Sequence, residues 1–351
     1  MKIQNNYNLS KLNTFGILAK AKFFVEINNE TDLKELFDIG EFKNNEKLFL
    51  GGGSNVLFTK DFDGLVIFNK LKGIEILKED SKNVLIKSMG GEMWHDIVIF
   101  SVERNLWGIE NLAFVPGTVG AAPIQNIGAY GVELKDTLEN VEVFDIETGE
   151  KKVLDKEECK FGYRDSVFKN ELKGKYFITA ITLKLSKTPA RQLAGGENKK
   201  KIYPALEKYL VENKIEIKNS KDISDAVTAI RKSKLPNPEV IPNAGSFFKN
   251  VFVKEIEFKK LQKTYPNIPF FKENGEIKIP SGWLIEQCGP ANGTSWKGYR
   301  LGNVGVHDKQ ALVLVNYGGA TGEKVLNLAN KIIANVKEKF GLKLTPEVNL
   351  I

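Results

Sequence analysis

Leu50-Gly51-Gly52-Gly53-Ser54-Asn55 is the stretch on which the reading of this chain turns. Residues 47–50 before it have the composition of a strand, and residues 56–58 and 65–68 after it return to that composition. Three successive glycines carry no Cβ, so their backbone N–H groups can come close to an anion, and Ser54 and Asn55 add hydrogen-bonding side chains. The spacing is neither G-x-G-x-x-G nor a Walker lysine loop, so the stretch alone reads either as a phosphate cradle or as an ordinary tight turn. Upstream, residues 21–27 read as a strand, and Thr31 reads as the cap of a helix with Leu33, Leu36 and Phe37 on one face. The first third of the chain is therefore α/β.

Further strands are expected at residues 74–77, 84–87, 141–146 and 176–185, the last with period-2 alternation, and Glu147-Thr148-Gly149-Glu150 marks a hairpin turn. Two breaks rich in proline, glycine and charge follow, at residues 187–202 and 235–242. Between them Ile223, Ala226, Val227 and Ile230 form one helical stripe. A new unit starts after Pro242, with a helix near Trp283, a strand at 311–316 and a helix at 321–340 whose face carries Val325, Leu328, Ala329, Ile332 and Val336. Gly341 ends that helix.

With 42% hydrophobic and 27% charged residues the composition is that of a globular protein, which excludes a disordered tail, a collagen and a coiled coil. The longest apolar run is residues 311–315, far short of the roughly 18 residues that would span a bilayer. Residues 1–16 are polar, so no secretory signal is expected and the expected compartment is the cytoplasm. Cys159, Cys288, His95 and His307 give no metal-ligand spacing, so no metal is expected. The formal charge of +7 favours anionic small molecules, but it is spread along the chain. The basic run Lys199-Lys200-Lys201 lacks interleaved aromatics and reads as a solvated loop, not a nucleic-acid site.

A second Gly-rich loop, Pro116-Gly117-Thr118-Val119-Gly120-Ala121-Ala122-Pro123, continues into Gln125-Asn126-Ile127-Gly128-Ala129-Tyr130-Gly131. Two such loops in one α/β unit suggest a pyrophosphate held from both sides, as in a dinucleotide cofactor. Three other positions carry chemistry. Arg164, in Phe161-Gly162-Tyr163-Arg164-Asp165-Ser166, has the fork that grips a carboxylate or phosphate, or else makes a surface salt bridge. Ser246, in Asn243-Ala244-Gly245-Ser246-Phe247-Phe248-Lys249-Asn250, is a hydroxyl between small and aromatic residues, suited to proton donation or to a turn hydrogen bond. Glu347, in Thr345-Pro346-Glu347-Val348, is an acid among residues of strand character, where an unpartnered carboxylate would be costly.

In order along the chain, these stretches resemble the UDP-N-acetylenolpyruvoylglucosamine reductase family, flavoenzymes that make UDP-N-acetylmuramate for bacterial peptidoglycan. The resemblance covers essentially the whole chain. Its other carriers are Asn13-Thr14-Phe15-Gly16-Ile17, Gly108-Ile109-Glu110-Asn111-Leu112, Lys234-Leu235-Pro236 and Ser281-Gly282-Trp283-Leu284-Ile285.

The resemblance implies an α/β and α+β fold: a two-part FAD-binding region of the vanillyl-alcohol-oxidase-like type and an α+β substrate-binding domain. The implied limits are 1–69 for the first FAD part, with strand 342–351 returning to it, 70–235 for the second, and 236–341 for the substrate domain. The implied cofactor is non-covalent FAD, with NADPH as co-substrate and UDP-N-acetylglucosamine-enolpyruvate as the molecule reduced. A monomer is expected, and the short apolar runs and dispersed charge read above give the expectation that it binds neither membrane nor nucleic acid. Ser246 matches the family's proton donor, and Arg164 and Glu347 match its enolate-stabilising pair. Gly51, Gly52, Gly53, Ser54, Asn55, Pro116, Gly117, Thr118, Gly120, Gln125, Asn126 and Gly128 match cofactor positions. Tyr130, Tyr203, Lys234, Asn250, Lys297 and Gln310 match substrate positions, Tyr203 within a lysine-rich segment that departs from the family pattern. The rival readings are an oxygen-using oxidase on the same flavin fold and a nucleotide-binding relative without catalysis.

Overall fold

A computed structural model describes residues 1–189, 202–273 and 275–351 of the protein, so the run Lys199 to Lys201 lies outside the described residues. The chain forms two units, and it passes from one to the other between Gly52 and Gly53, inside the first glycine motif.

The first unit comprises Met1–Tyr7, Ala21–Gly52 and Asp63–Ser233. One of its sheets runs in the order Gln4–Asn8, Lys20–Ile27, Phe62–Asn69, Lys47–Leu50, with the last two strands parallel. The other has five antiparallel strands in the order Lys151–Asp155, Leu138–Asp145, Tyr176–Ser186, Asn83–Met89, Ile74–Glu79. The expected alternation in the strand Tyr176–Ser186 is not seen, because nearly every residue of it is buried. It is the central strand, so both faces are covered. Ile178, Ile181, Leu183 and Leu185 enter one apolar core, and Thr179 and Thr182 are buried as well.

The helix Glu30–Phe37 is capped by Asn29 and not by Thr31. The Asn29 side chain accepts the Asp32 N–H at 3.0 Å while the Asp32 carboxylate accepts the Asn29 N–H, a reciprocal box that Thr31, already inside the helix, cannot make. The helix Ser220–Lys234 buries Ile223, Ala226, Val227 and Ile230 in the larger core, as its stripe predicts.

The second unit comprises Asn8–Lys20, Gly53–Phe62 and Lys234–Ile351. Its main sheet runs Asn243–Ser246, Val313–Asn316, Val304–Val306, Arg300–Leu301, and a smaller one joins Val251–Val253, Glu276–Ile279 and Phe271–Glu273. The strand expected from residue 311 begins at Val313, since the Val313 N–H closes a turn onto the Gln310 carbonyl. The helix Gly322–Phe340 buries the stripe read from sequence, with Thr321 capping its start and Gly341, at φ 69°, ending it. The motif at 13–17 is a knot of backbone contacts. Asn13 bonds the Leu9 and Ile17 carbonyls, and Asn316 reaches the Phe15 carbonyl at 2.8 Å. At the C-terminus Asn349–Leu350 pairs in parallel with Val56–Leu57. Among the described residues no helix is long and apolar enough to cross a membrane, and no group of His, Cys, Asp and Glu could hold a metal ion.

Candidate active site

Within the first unit the two Gly-rich loops meet backbone to backbone. A Cβ on Gly51 would lie 2.2 Å from Thr118 Oγ1, striking that hydroxyl, and one on Gly52 would lie 3.1 Å from the Gly117 Cα, pressing on its backbone, so the glycines let the loops come this close. The Val119 and Gly120 N–H groups are already committed, donating to the Glu92 and Gly90 carbonyls at 2.8 Å each. Thr118 is buried, and its hydroxyl has no hydrogen-bond partner among the described residues. A buried hydroxyl in that condition is costly unless a ligand completes it.

The continuation of this loop is braced from inside. Asn126, at φ 44°, donates through its side-chain amide to Glu133 and to the Gly162 carbonyl at 3.0 Å each, and accepts the Lys135 N–H. Arg164, itself at φ 51°, donates through Nη2 to the Gly128 carbonyl at 2.7 Å. Asn111 holds the Tyr130 carbonyl at 2.8 Å, and the Tyr130 ring meets that of Tyr203 edge-on at 5.6 Å. Tyr203 stands immediately before the helix Pro204–Glu212, so the structure brings it to Tyr130 despite the divergent sequence around it.

Arg231 was not singled out by sequence; it follows the apolar stripe of the helix Ser220–Lys234 and looks there like a solvated charge. In the structure it is half-buried, its Nε donates to the Phe114 carbonyl at 3.1 Å, and its charge acts on Tyr130 and Arg164. Burial raises the pKa of the Tyr130 phenol, opposed by Arg231 and assisted by Tyr203. Burial lowers that of Arg231, with Tyr130 opposing and Arg164 assisting. Cys159 is pushed up to about 12 by burial and neighbouring acids, so it is a thiol and no nucleophile.

In the second unit Ser246 ends the strand Asn243–Ser246, opposite Val313, and is half-buried. The chain reaches it through Gly245 at φ 66°, whose N–H donates to Asn243 Oδ1 at 2.9 Å. The C-terminal segment lies alongside: Phe248 bridges Pro346, the Glu347 N–H donates to the Phe247 carbonyl at 2.8 Å, and the Lys249 N–H donates to the Thr345 carbonyl at 2.9 Å. Glu347 is thereby held next to the residue that follows Ser246. Asn55 joins them, its side-chain amide donating to the Glu347 carbonyl at 3.3 Å. Asn250 Oδ1 accepts the Ser281 N–H at 3.1 Å, Lys297 pairs with Glu286 at 2.9 Å, and Gln310 Oε1 faces Gly282. Lys234, at the end of its helix, is exposed. Gly53, at φ 60°, has a different task from Gly51 and Gly52: a Cβ on it would strike the Leu12 carbonyl oxygen at 1.9 Å.

Residues 236–351 match the family described as UDP-N-acetylenolpyruvoylglucosamine reductase, C-terminal domain, and residues 21–155 match an FAD binding domain. The chain is 48% identical to a UDP-N-acetylenolpyruvoylglucosamine reductase of Amoebophilus asiaticus and 46% identical to one of Flavobacterium johnsoniae, each alignment covering 100% of both chains. The chain belongs to the UDP-N-acetylenolpyruvoylglucosamine reductase family. A solved UDP-N-acetylenolpyruvylglucosamine reductase from Thermus caldophilus, 24% identical, superposes with a TM-score of 0.65 over 100% of this chain and 99% of that one, so the fold is shared. Membership in the UDP-N-acetylenolpyruvoylglucosamine reductase family makes the chain an FAD-containing, NADPH-dependent oxidoreductase with a two-part flavin-binding region and an α+β domain. The residues fit such a cofactor in one respect: the buried Thr118 hydroxyl, packed against Gly51, lacks the acceptor that a phosphate supplies.

Proposed function

We propose that the chain reduces the enolpyruvyl ether of UDP-N-acetylglucosamine-enolpyruvate to UDP-N-acetylmuramate, as a cytoplasmic monomer whose roles fall to named residues. FAD, when bound, would supply the hydride transfer that links NADPH to the methylene carbon of the ether. Gly51, Gly52 and Gly117, with the Thr118 hydroxyl, would hold its pyrophosphate. Addition of hydride leaves negative charge at the α carbon, delocalised into the carboxylate. Arg164 offers a planar cationic fork to that enol-like species, and Glu347 orients or donates a proton beside it. Ser246 delivers the proton to the α carbon; a carbanion is basic enough that a positioned hydroxyl with relay to solvent serves. Tyr130, Tyr203, Lys234, Asn250, Lys297 and Gln310 bind the nucleotide sugar, the lysines as point charges for the diphosphate. The limits 1–69, 70–235 and 236–341 belong to the same proposal.

The observation that carries the catalytic assignment is the pairing of residues 345–347 with 247–249, which supports placing a carboxylate and a hydroxyl 101 positions apart in one constellation. The test is a purified yellow protein that oxidises NADPH in proportion to added enolpyruvyl substrate. Protein that takes up FAD but consumes NADPH equally with or without that substrate would overturn the proposal.

A further inference from the structure

Phe114 stands two residues before Pro116 and adopts φ 57°, a left-handed conformation that is costly for a bulky side chain. Such a turn persists only where its surroundings hold it, and here both backbone polar groups of Phe114 are held by side chains. Its N–H donates to His95 Nδ1 at 3.1 Å, and its carbonyl accepts from Arg231 Nε at 3.1 Å. His95 lies in the first turn of the helix Trp94–Val102 and Arg231 in the last turns of the helix Ser220–Lys234, so two separate helices grip one residue. The ring is gripped too, edge-on to His95 at 5.8 Å and beneath the Lys232 ammonium at 5.4 Å. From this turn the chain runs directly into Gly117, whose carbonyl accepts the Trp94 N–H at 3.0 Å, and then Thr118.

We propose that His95 and Arg231 are positioning residues for the flavin loop: they fix the left-handed turn at Phe114 and so set where Thr118 stands. This rests on the reading that residues 116–120 hold the FAD pyrophosphate. It adds that the loop's shape depends on two side chains that need not touch the cofactor.

The His95 contact also has a sign with pH. Nδ1 accepts the Phe114 N–H only when the imidazole is neutral with its proton on Nε2; a protonated ring presents N–H to N–H. Burial lowers the His95 pKa, Asp96 beside it opposes that, and Lys232 from the other helix assists. The clamp is therefore intact at neutral pH and lost as pH falls below the ordinary imidazole range.

The experiment titrates FAD into apoprotein and follows quenching of flavin fluorescence, with far-ultraviolet circular dichroism as a folding control. His95→Leu should bind FAD about tenfold more weakly, the scale of one strained turn. His95→Asn, which keeps an acceptor at the same reach but does not titrate, should bind as wild type at pH 7.5. Phe114→Gly removes the conformational cost, so in that background His95→Leu should make no difference. Arg231→Met should weaken FAD binding, and wild-type affinity should fall as pH is lowered from 7.5 to well below the ordinary imidazole range while that of His95→Asn stays level. Unchanged affinity in His95→Leu, failure of Phe114→Gly to rescue it, or equal acid dependence in wild type and His95→Asn would overturn the clamp. Thr118→Val tests the underlying reading separately: if it binds FAD as wild type does, the loop assignment fails whatever the His95 variants do.

Discussion

The side-chain amide of Asn55 donates to the backbone carbonyl of Glu347 at 3.3 Å, across 292 positions of sequence. The Asn349 N–H returns a bond to the Asn55 carbonyl at 3.0 Å, and the Glu347 N–H goes to Phe247. One cofactor candidate and one catalytic candidate thus share a backbone frame, which makes several outcomes definite.

Ser246→Ala should leave NADPH reduction of the flavin intact and slow enolpyruvyl reduction by about 10²- to 10⁴-fold, the scale of a lost general acid. Stopped-flow absorbance separates the two half-reactions. Equal slowing of both would remove Ser246 from proton delivery.

Arg164→Lys keeps the charge but loses the planar fork, and it also loses the bond to the Gly128 carbonyl. A large fall in the second half-reaction is expected, and Glu347→Gln should behave alike. If both act on one transition state, the double variant should be much less impaired than the product of the single effects. Full additivity in this cycle would separate their roles.

Glycines that adjoin in sequence should fail in different ways. Gly53→Ala puts a Cβ against the Leu12 carbonyl at a positive φ, so it should lose about 2 kcal/mol or more of stability, read from denaturant midpoints. A Gly53 substitution is therefore a poor probe of flavin binding. Thr118→Val should instead leave the fold alone and weaken FAD by about tenfold, the loss of one hydrogen bond to a charged group.

The buried thiol of Cys159, with its pKa near 12, should resist alkylation at pH 8 in the native protein and react on unfolding. The native state holds its proton where the unfolded chain releases it near pH 9. The stability this site contributes is therefore full below pH 9 and is lost as pH rises toward 12. Mass spectrometry after brief alkylation, and melting temperatures across alkaline pH, give both readings.

Local chemistry alone determined much of this protein. The stripe from Val325 to Val336 and the terminating Gly341 specify one long helix, because side-chain period and a left-handed stop are properties of neighbouring residues. Three glycines between strands likewise announced a place where backbone must approach something closely. What that something is, only the tertiary structure decided. Gly51 and Gly52 face Gly117 and Thr118, whereas Gly53 faces Leu12, a difference that identical residues side by side cannot express. Arg231 and His95 carried no pattern of their own, since their partner is the backbone of Phe114, 117 positions from one and 19 from the other. The bond from Glu347 to Phe247 is of the same kind. Periodicity records which face of an element is apolar; which backbones meet depends on how distant elements pack, and that is written in no single stretch of sequence.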